Sequence, residues 1–133
     1  MNSFKEIESL VLKTLEVEFD KKHILFKEGD KSREFYILLS GTIDVFKGSR
    51  LINTVDKPGT YLGEMSSLLD TPRTATLVTS TPCRLYRVPG DKVAQFFQHS
   101  PEMGIKLAKA LARRLLDMDS KYEKLLERVS PTG

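Results

Sequence analysis

The chain has 133 residues, 40% hydrophobic and 29% charged, which suits one globular domain and excludes a disordered or fibrous chain. The net charge of +3 is small and its basic residues are dispersed, so composition does not argue for nucleic-acid binding. A lone cysteine, Cys83, excludes an internal disulfide, and with no secretion signal and no apolar run of membrane-span length the expected location is the cytoplasm.

Taken in order, the chain opens on a predicted helix. Ser3 and Glu6 have capping-box spacing, and Phe4, Ile7, Leu10 and Val11 share one face. Leu15, Val17 and Phe19 then alternate with polar residues, predicting a half-buried strand over 14–19. Turns at Asp20-Lys21-Lys22 and Glu28-Gly29-Asp30 flank a return strand over 23–26. The run Phe35 to Leu39 is continuously apolar, Gly41 breaks it, and strands follow over 42–46 and 50–55 about a Lys47-Gly48-Ser49 hairpin loop. Beyond a connecting stretch, 76–79 and 84–88 read as strands around Ser80-Thr81-Pro82. Asp91 is expected to cap a helix running to Gln98, and Ser100-Pro101-Glu102 to start a last helix reaching Val129. The fold class is mainly β with flanking helices: an antiparallel jelly roll or sandwich of about eight strands, a short N-terminal helix and two C-terminal helices. The expected layout is one domain over 1–133, with a helix at 1–13, a β-roll at 14–90 and the C-terminal helices at 91–129.

The connecting stretch from Gly59 to Thr76 carries the chemistry. Gly63 permits close approach of backbone to a ligand. Met65 to Leu69 can form a helical turn whose first amides face an anion. Arg73 presents a planar fork matching two phosphate oxygens, whereas Glu64, acceptor-only when ionised, suits a sugar hydroxyl. The bland alternative is a structural Glu64–Arg73 ion pair at a loop base. Together the groups describe a pocket for a compact sugar phosphate.

Gly63-Glu64-Met65-Ser66 followed by Pro72-Arg73-Thr74-Ala75 resembles the phosphate-binding cassette of the cyclic nucleotide-binding domain family. Lys27-Glu28-Gly29-Asp30 before Phe35-Tyr36-Ile37-Leu38-Leu39-Ser40-Gly41 looks like that family's second recurrent motif, and the resemblance extends over roughly 14–115. It implies that Glu64 takes the ribose 2′-hydroxyl, that Arg73 takes exocyclic phosphate oxygens, and that backbone amides around Met65, Ser66, Thr74 and Ala75 complete the cradle at Gly63. Ser67 departs from the pattern, standing where the family usually has a large apolar residue.

In the last helix Ala108, Leu111, Leu115, Met118, Tyr122, Leu125 and Val129 follow alternating spacings of three and four, a coiled-coil seam. Leu111-Ala112-Arg113-Arg114-Leu115 resembles the dimer helix of bacterial catabolite activators, so the expected partner is a second copy of the chain. By the same resemblance, Met118, Asp119 and Ser120 are the positions able to reach the base. No helix-turn-helix domain follows, so direct DNA binding is not expected. The two histidines, His23 and His99, lie far apart, and neither a metal cluster nor a nucleophile–base pair is legible. The expected function is binding of a 3′,5′-cyclic nucleotide, cAMP ahead of cGMP, by a stand-alone sensor or regulatory module that acts on an effector protein and is not an enzyme. The alternative is a nucleotide-independent dimerising module on the same fold.

Overall fold

The computed structural model describes residues 12–129. Most of the predicted N-terminal helix therefore lies outside the described residues, and 12–15 are helical. Eight strands follow: β1 (Glu16–Phe19), β2 (Ile24–Phe26), β3 (Phe35–Ser40), β4 (Ile43–Lys47), β5 (Arg50–Val55), β6 (Tyr61–Leu62), β7 (Thr76–Thr79) and β8 (Cys83–Val88). Helix α1 (Glu64–Leu69) separates β6 from β7, and α2 (Val93–His99) and α3 (Pro101–Val129) follow β8.

The strands form two four-stranded sheets, ordered β1-β8-β3-β6 and β2-β7-β4-β5, with every pairing antiparallel. Alternation decides what faces inward. In β8, Cys83 and Leu85 are buried while Arg84 is exposed. Leu25, Phe26, Tyr36, Leu38, Ile43, Leu62, Leu77 and Leu85, drawn from both sheets, form one core with Ala75 and Cys83. Strand β3 is apolar on both faces for a reason. Tyr36 and Leu38 join that core, while Phe35 meets Phe96 edge-on and Phe97 in a stack, at 5.6 and 5.7 Å between ring centres. Helix α2 thus covers the outer face of the first sheet.

Two tight crossings tie the sheets together. Gly41-Thr42 carries the chain from β3 to β4, and Ser80 to Pro82 carries it back from β7 to β8. They bind each other: Thr42 N–H donates to Thr81 Oγ1 at 2.9 Å, and Ser80 N–H donates to the Thr42 carbonyl at 2.9 Å. Below them the fully buried Thr79 hydroxyl donates to the Asp20 carbonyl and accepts from His23 N–H.

Most strand bounds fall within a residue of expectation, and the following differences have a physical cause. The first strand starts at Glu16, not Thr14; Leu15 is four residues after Val11 and fits the helical period as well as the alternating one. Strand β6 has only two residues, too few to show alternation. Asp91 is not a helix cap: it lies inside a 3₁₀ turn over Gly90–Lys92, and α2 begins only at Val93.

The chain divides into two compact units at Ser100. The first holds both sheets, α1 and α2. The second is α3, on which Leu115, Leu116, Met118, Tyr122, Leu125 and Leu126 are exposed. No helix among the described residues is long and apolar enough to cross a membrane.

Candidate functional site

Strand β6 delivers the chain to Gly63, which adopts φ 80° and ψ 13° at the start of α1. Only glycine suits this position on two counts. The left-handed backbone disfavours a Cβ, and a Cβ here would lie 2.5 Å from Arg73 Nη1 and 2.9 Å from the Phe26 ring. Helix α1 ends at Asp70, also left-handed, whose N–H donates to the Ser66 carbonyl at 3.0 Å. Thr71 and Pro72 then return the chain to Arg73.

Arg73 is only 2% exposed, and its guanidinium is held on all sides. Nε donates to Ser32 Oγ at 3.2 Å, Nη1 to the Gly63 carbonyl at 2.9 Å, and Nη2 to the Glu34 carbonyl at 2.5 Å. Its carbon lies 3.9 Å from the centre of the Phe26 ring, a cation–π contact. A guanidinium has five N–H groups, so these three bonds leave two of them, one on each terminal nitrogen. Burial pulls the guanidinium pKa down, and the neighbouring Glu34 carboxylate, 3.6 Å from Nη2, acts the other way. An arginine in this balance stays protonated at neutral pH.

The loop before β3 braces the same place. Arg73 N–H donates to the Asp30 carbonyl at 2.9 Å and its carbonyl accepts from Gly29 N–H at 2.8 Å. Arg33 bridges the loop to the end of α1, bonding the Asp70 carboxylate at 2.5 Å and the Thr71 carbonyl at 3.1 Å.

The structure brings the two halves of the predicted cassette together through Arg73–Gly63 and through Ser66 Oγ, which donates to the Pro72 carbonyl at 3.4 Å. Glu64 and Ser66 are buried at 4% exposure each, Met65 and Thr74 are exposed, and Ala75 points into the core. Met118, Asp119 and Ser120 are exposed on α3. The ion-pair partner of Arg73 is Glu34 rather than Glu64. Sequence reasoning missed Ser32, Glu34 and Phe26. The one signal for them was their place beside the Lys27-Glu28-Gly29-Asp30 turn.

The Ser67 hydroxyl is buried and finds no hydrogen-bond partner among the described residues. A hydroxyl left in that state costs roughly 1–3 kcal/mol. Ser67→Ala is accordingly expected to raise unfolding stability by about 1 kcal/mol in urea denaturation; unchanged or lowered stability would mean that the hydroxyl is satisfied in solution.

Two surface hollows, of about 460 and 230 Å³, lie elsewhere. The larger is lined by Glu18, Asp20 and Arg84 among others, but Arg84 already pairs with Glu16 and Glu18. The smaller, beside Phe96 and His99, lacks an arginine fork. No cluster suited to a metal ion occurs among the described residues.

Comparison with known proteins bears on this site. The sequence profile of the cyclic nucleotide-binding domain matches residues 16–100. The chain is 30% identical over 103 residues to a CRP-like cAMP-activated global transcriptional regulator of Mycobacterium tuberculosis, covering 74% of this chain and 46% of that protein. It thus spans under half the length of that relative. Among solved structures, the catabolite activator protein of Thermus thermophilus superposes with a TM-score of 0.74 at 25% identity, over 90% of this chain and 59% of that one. The regulatory domain of Toxoplasma gondii PKA, crystallised with cAMP, superposes with a TM-score of 0.58 at 26% identity, over 68% of this chain and 37% of that one.

Proposed function

Because the chain belongs to the cyclic nucleotide-binding domain family, we propose that it binds a 3′,5′-cyclic nucleotide, cAMP in preference to cGMP, and serves as a sensor or regulatory module. The observation that carries this reading is the Arg73 fork, held by Ser32, Gly63 and Glu34 with two N–H groups to spare. Arg73 takes the exocyclic phosphate oxygens, the amides of Met65, Ser66, Thr74 and Ala75 take the rest of the phosphate, and Glu64 takes the ribose 2′-hydroxyl. Met118, Asp119 and Ser120 are the proposed base contacts. A relative described as cAMP-activated and a neighbour crystallised with cAMP support the adenine preference. The exposed Thr74 hydroxyl is the feature that suits guanine.

The module has no catalytic role in this reading; it acts in the cytoplasm on an effector protein, without contacting DNA itself. Residues 1–133 work as one functional domain. Ligand shifts the population of arrangements of the C-terminal helices, with a coupling of about 1–3 kcal/mol. The exposed seam of α3, Leu115, Met118, Tyr122 and Leu125, supports pairing with a second copy. Analytical ultracentrifugation is expected to show a dimer that Leu115→Glu with Tyr122→Glu converts to a folded monomer. A double variant that stays dimeric would place the interface elsewhere.

The test of binding is calorimetric titration with cAMP and cGMP, Arg73→Ala serving as control. Saturable heat with cAMP, weaker with cGMP and lost in the variant, is the expected result. No heat with either nucleotide, from folded protein free of co-purified ligand, would sink the reading and leave the dimerising interaction module.

A further inference from the structure

We propose that Glu34 is a specificity-determining residue, setting the charge of the phosphate that the site accepts: one negative charge is admitted and two are repelled. The proposal rests on the nucleotide-binding reading and goes beyond it in assigning a role to an acid outside the cassette.

The argument starts from the charges around Arg73. The Glu34 carboxylate is 3.6 Å from Nη2, too far for a hydrogen bond but close for an ion pair, and its side chain is only 13% exposed. Water screens it weakly. Arg33 is the other nearby cation, and its charge is matched by Asp70 at 2.5 Å. Asp30, whose carboxylate accepts the Lys27 N–H at 2.9 Å, adds a further negative charge acting on Arg73. The charged side chains acting on Arg73 thus include the carboxylates of Glu34 and Asp30 and the guanidinium of Arg33, which Asp70 pairs. This is not a basic pocket that attracts any phosphate. It supplies hydrogen bonds in abundance and little surplus positive charge.

Such a site distinguishes two kinds of nucleotide. A cyclic phosphodiester carries one negative charge. A 5′-phosphomonoester carries up to two, because its second ionisation falls at a pKa of about 6. The first charge is met by Arg73. Glu34 repels every charge on the phosphate, and only the monoester brings a second one. With an effective dielectric constant of about 20 and a separation of about 6 Å, the repulsion on each phosphate charge corresponds to at most about 100-fold in affinity, so the doubly charged monoester is penalised more than the diester. Glutamine at the same position keeps the backbone carbonyl that holds Nη2 and removes only the charge.

The experiment uses the full chain and three probes: cAMP, 5′-AMP, and the methyl ester of 5′-AMP, which is acyclic yet carries a single charge. Dissociation constants are measured for the wild type and Glu34→Gln. The expected result is that Glu34→Gln tightens both nucleotides, and 5′-AMP at least about tenfold more than cAMP. The wild type should also bind the methyl ester more tightly than 5′-AMP. Equal tightening of cAMP and 5′-AMP by the substitution would overturn the proposal, and so would a wild type that binds the methyl ester no better than 5′-AMP. The ester comparison needs no variant, so it decides the matter even if Glu34→Gln fails to fold. If the wild type binds 5′-AMP as tightly as cAMP, the charge gate fails while the nucleotide reading stands. If it binds no cAMP at all, the nucleotide reading falls and the gate with it.

Discussion

Arg73→Ala is expected to weaken cyclic nucleotide binding by at least about 100-fold, because it removes two charge-assisted hydrogen bonds worth roughly 1.5–3 kcal/mol each. The same change reaches into the fold. The Gly63 and Glu34 carbonyls lose their guanidinium donor, the Glu34 carboxylate loses its cation, and the Phe26 ring loses the group 3.9 Å above it. An ion pair broken from one side in a buried place costs about 3 kcal/mol, so thermal unfolding must be measured alongside the titration, which is run well below the variant's midpoint. Arg73→Lys separates charge from geometry. Lysine keeps the charge, but its three donors on one nitrogen cannot serve Ser32, Gly63, Glu34 and two phosphate oxygens together. Its binding is expected to stay at least about tenfold below wild type while part of the stability returns. An Arg73→Ala protein that binds within threefold of wild type would remove Arg73 from the phosphate site.

Gly41→Ala is expected to lower unfolding stability by more than about 3 kcal/mol. Gly41 has φ 98°, and a Cβ there would fall 2.4 Å from the Pro82 carbonyl oxygen, 2.6 Å from Cys83 Sγ and 2.9 Å from Cys83 Cα. Two of these are backbone atoms, one at the end of the other crossing between the sheets and one in the first residue of β8, so relief requires moving the crossing and the strand that it enters. Gly29→Ala is the control. Gly29 also has a positive φ, 87°, but nothing lies within 4 Å of its would-be Cβ. It should show the backbone strain alone, about 1–2 kcal/mol. Urea denaturation of both variants separates strain from collision. Equal losses would mean that the crossing yields easily and that the close packing at Gly41 contributes nothing.

Most of the sheet was readable because alternation and turn residues are local signals. The strand over Arg50–Val55 and that over Thr76–Thr79 fall where the residues predict them, and the helix starting at Pro101 follows its Ser-Pro-Glu signal. The cassette helix was legible as a turn after Gly63, and the structure extends it by one residue to Glu64. The failures have equally local causes. Asp91 carries a capping residue's chemistry, but Pro89 enters a 3₁₀ turn ahead of it, and that turn takes the place of the helix start. Tyr61–Leu62 pairs with β3 because the fold brings them together, not because two residues have a pattern.

What the sequence determined by itself is the fold class and the pairing of Gly63 with Arg73. Gly63 and Arg73 are ten residues apart, joined by a short helix and a proline turn, and local geometry suffices to bring the fork to the Gly63 carbonyl. What only the tertiary structure decided is how that fork is held and which acid stands against it. Ser32 and Glu34 are 41 and 39 residues from Arg73, and Phe26 lies on a strand of the opposite sheet from the one that carries Tyr61 and Leu62. Contacts over such separations depend on the register of several strands and the packing of two sheets. No local pattern distinguishes Glu34 from the other acids of its loop, and only the folded core brings its carboxylate within 3.6 Å of the guanidinium.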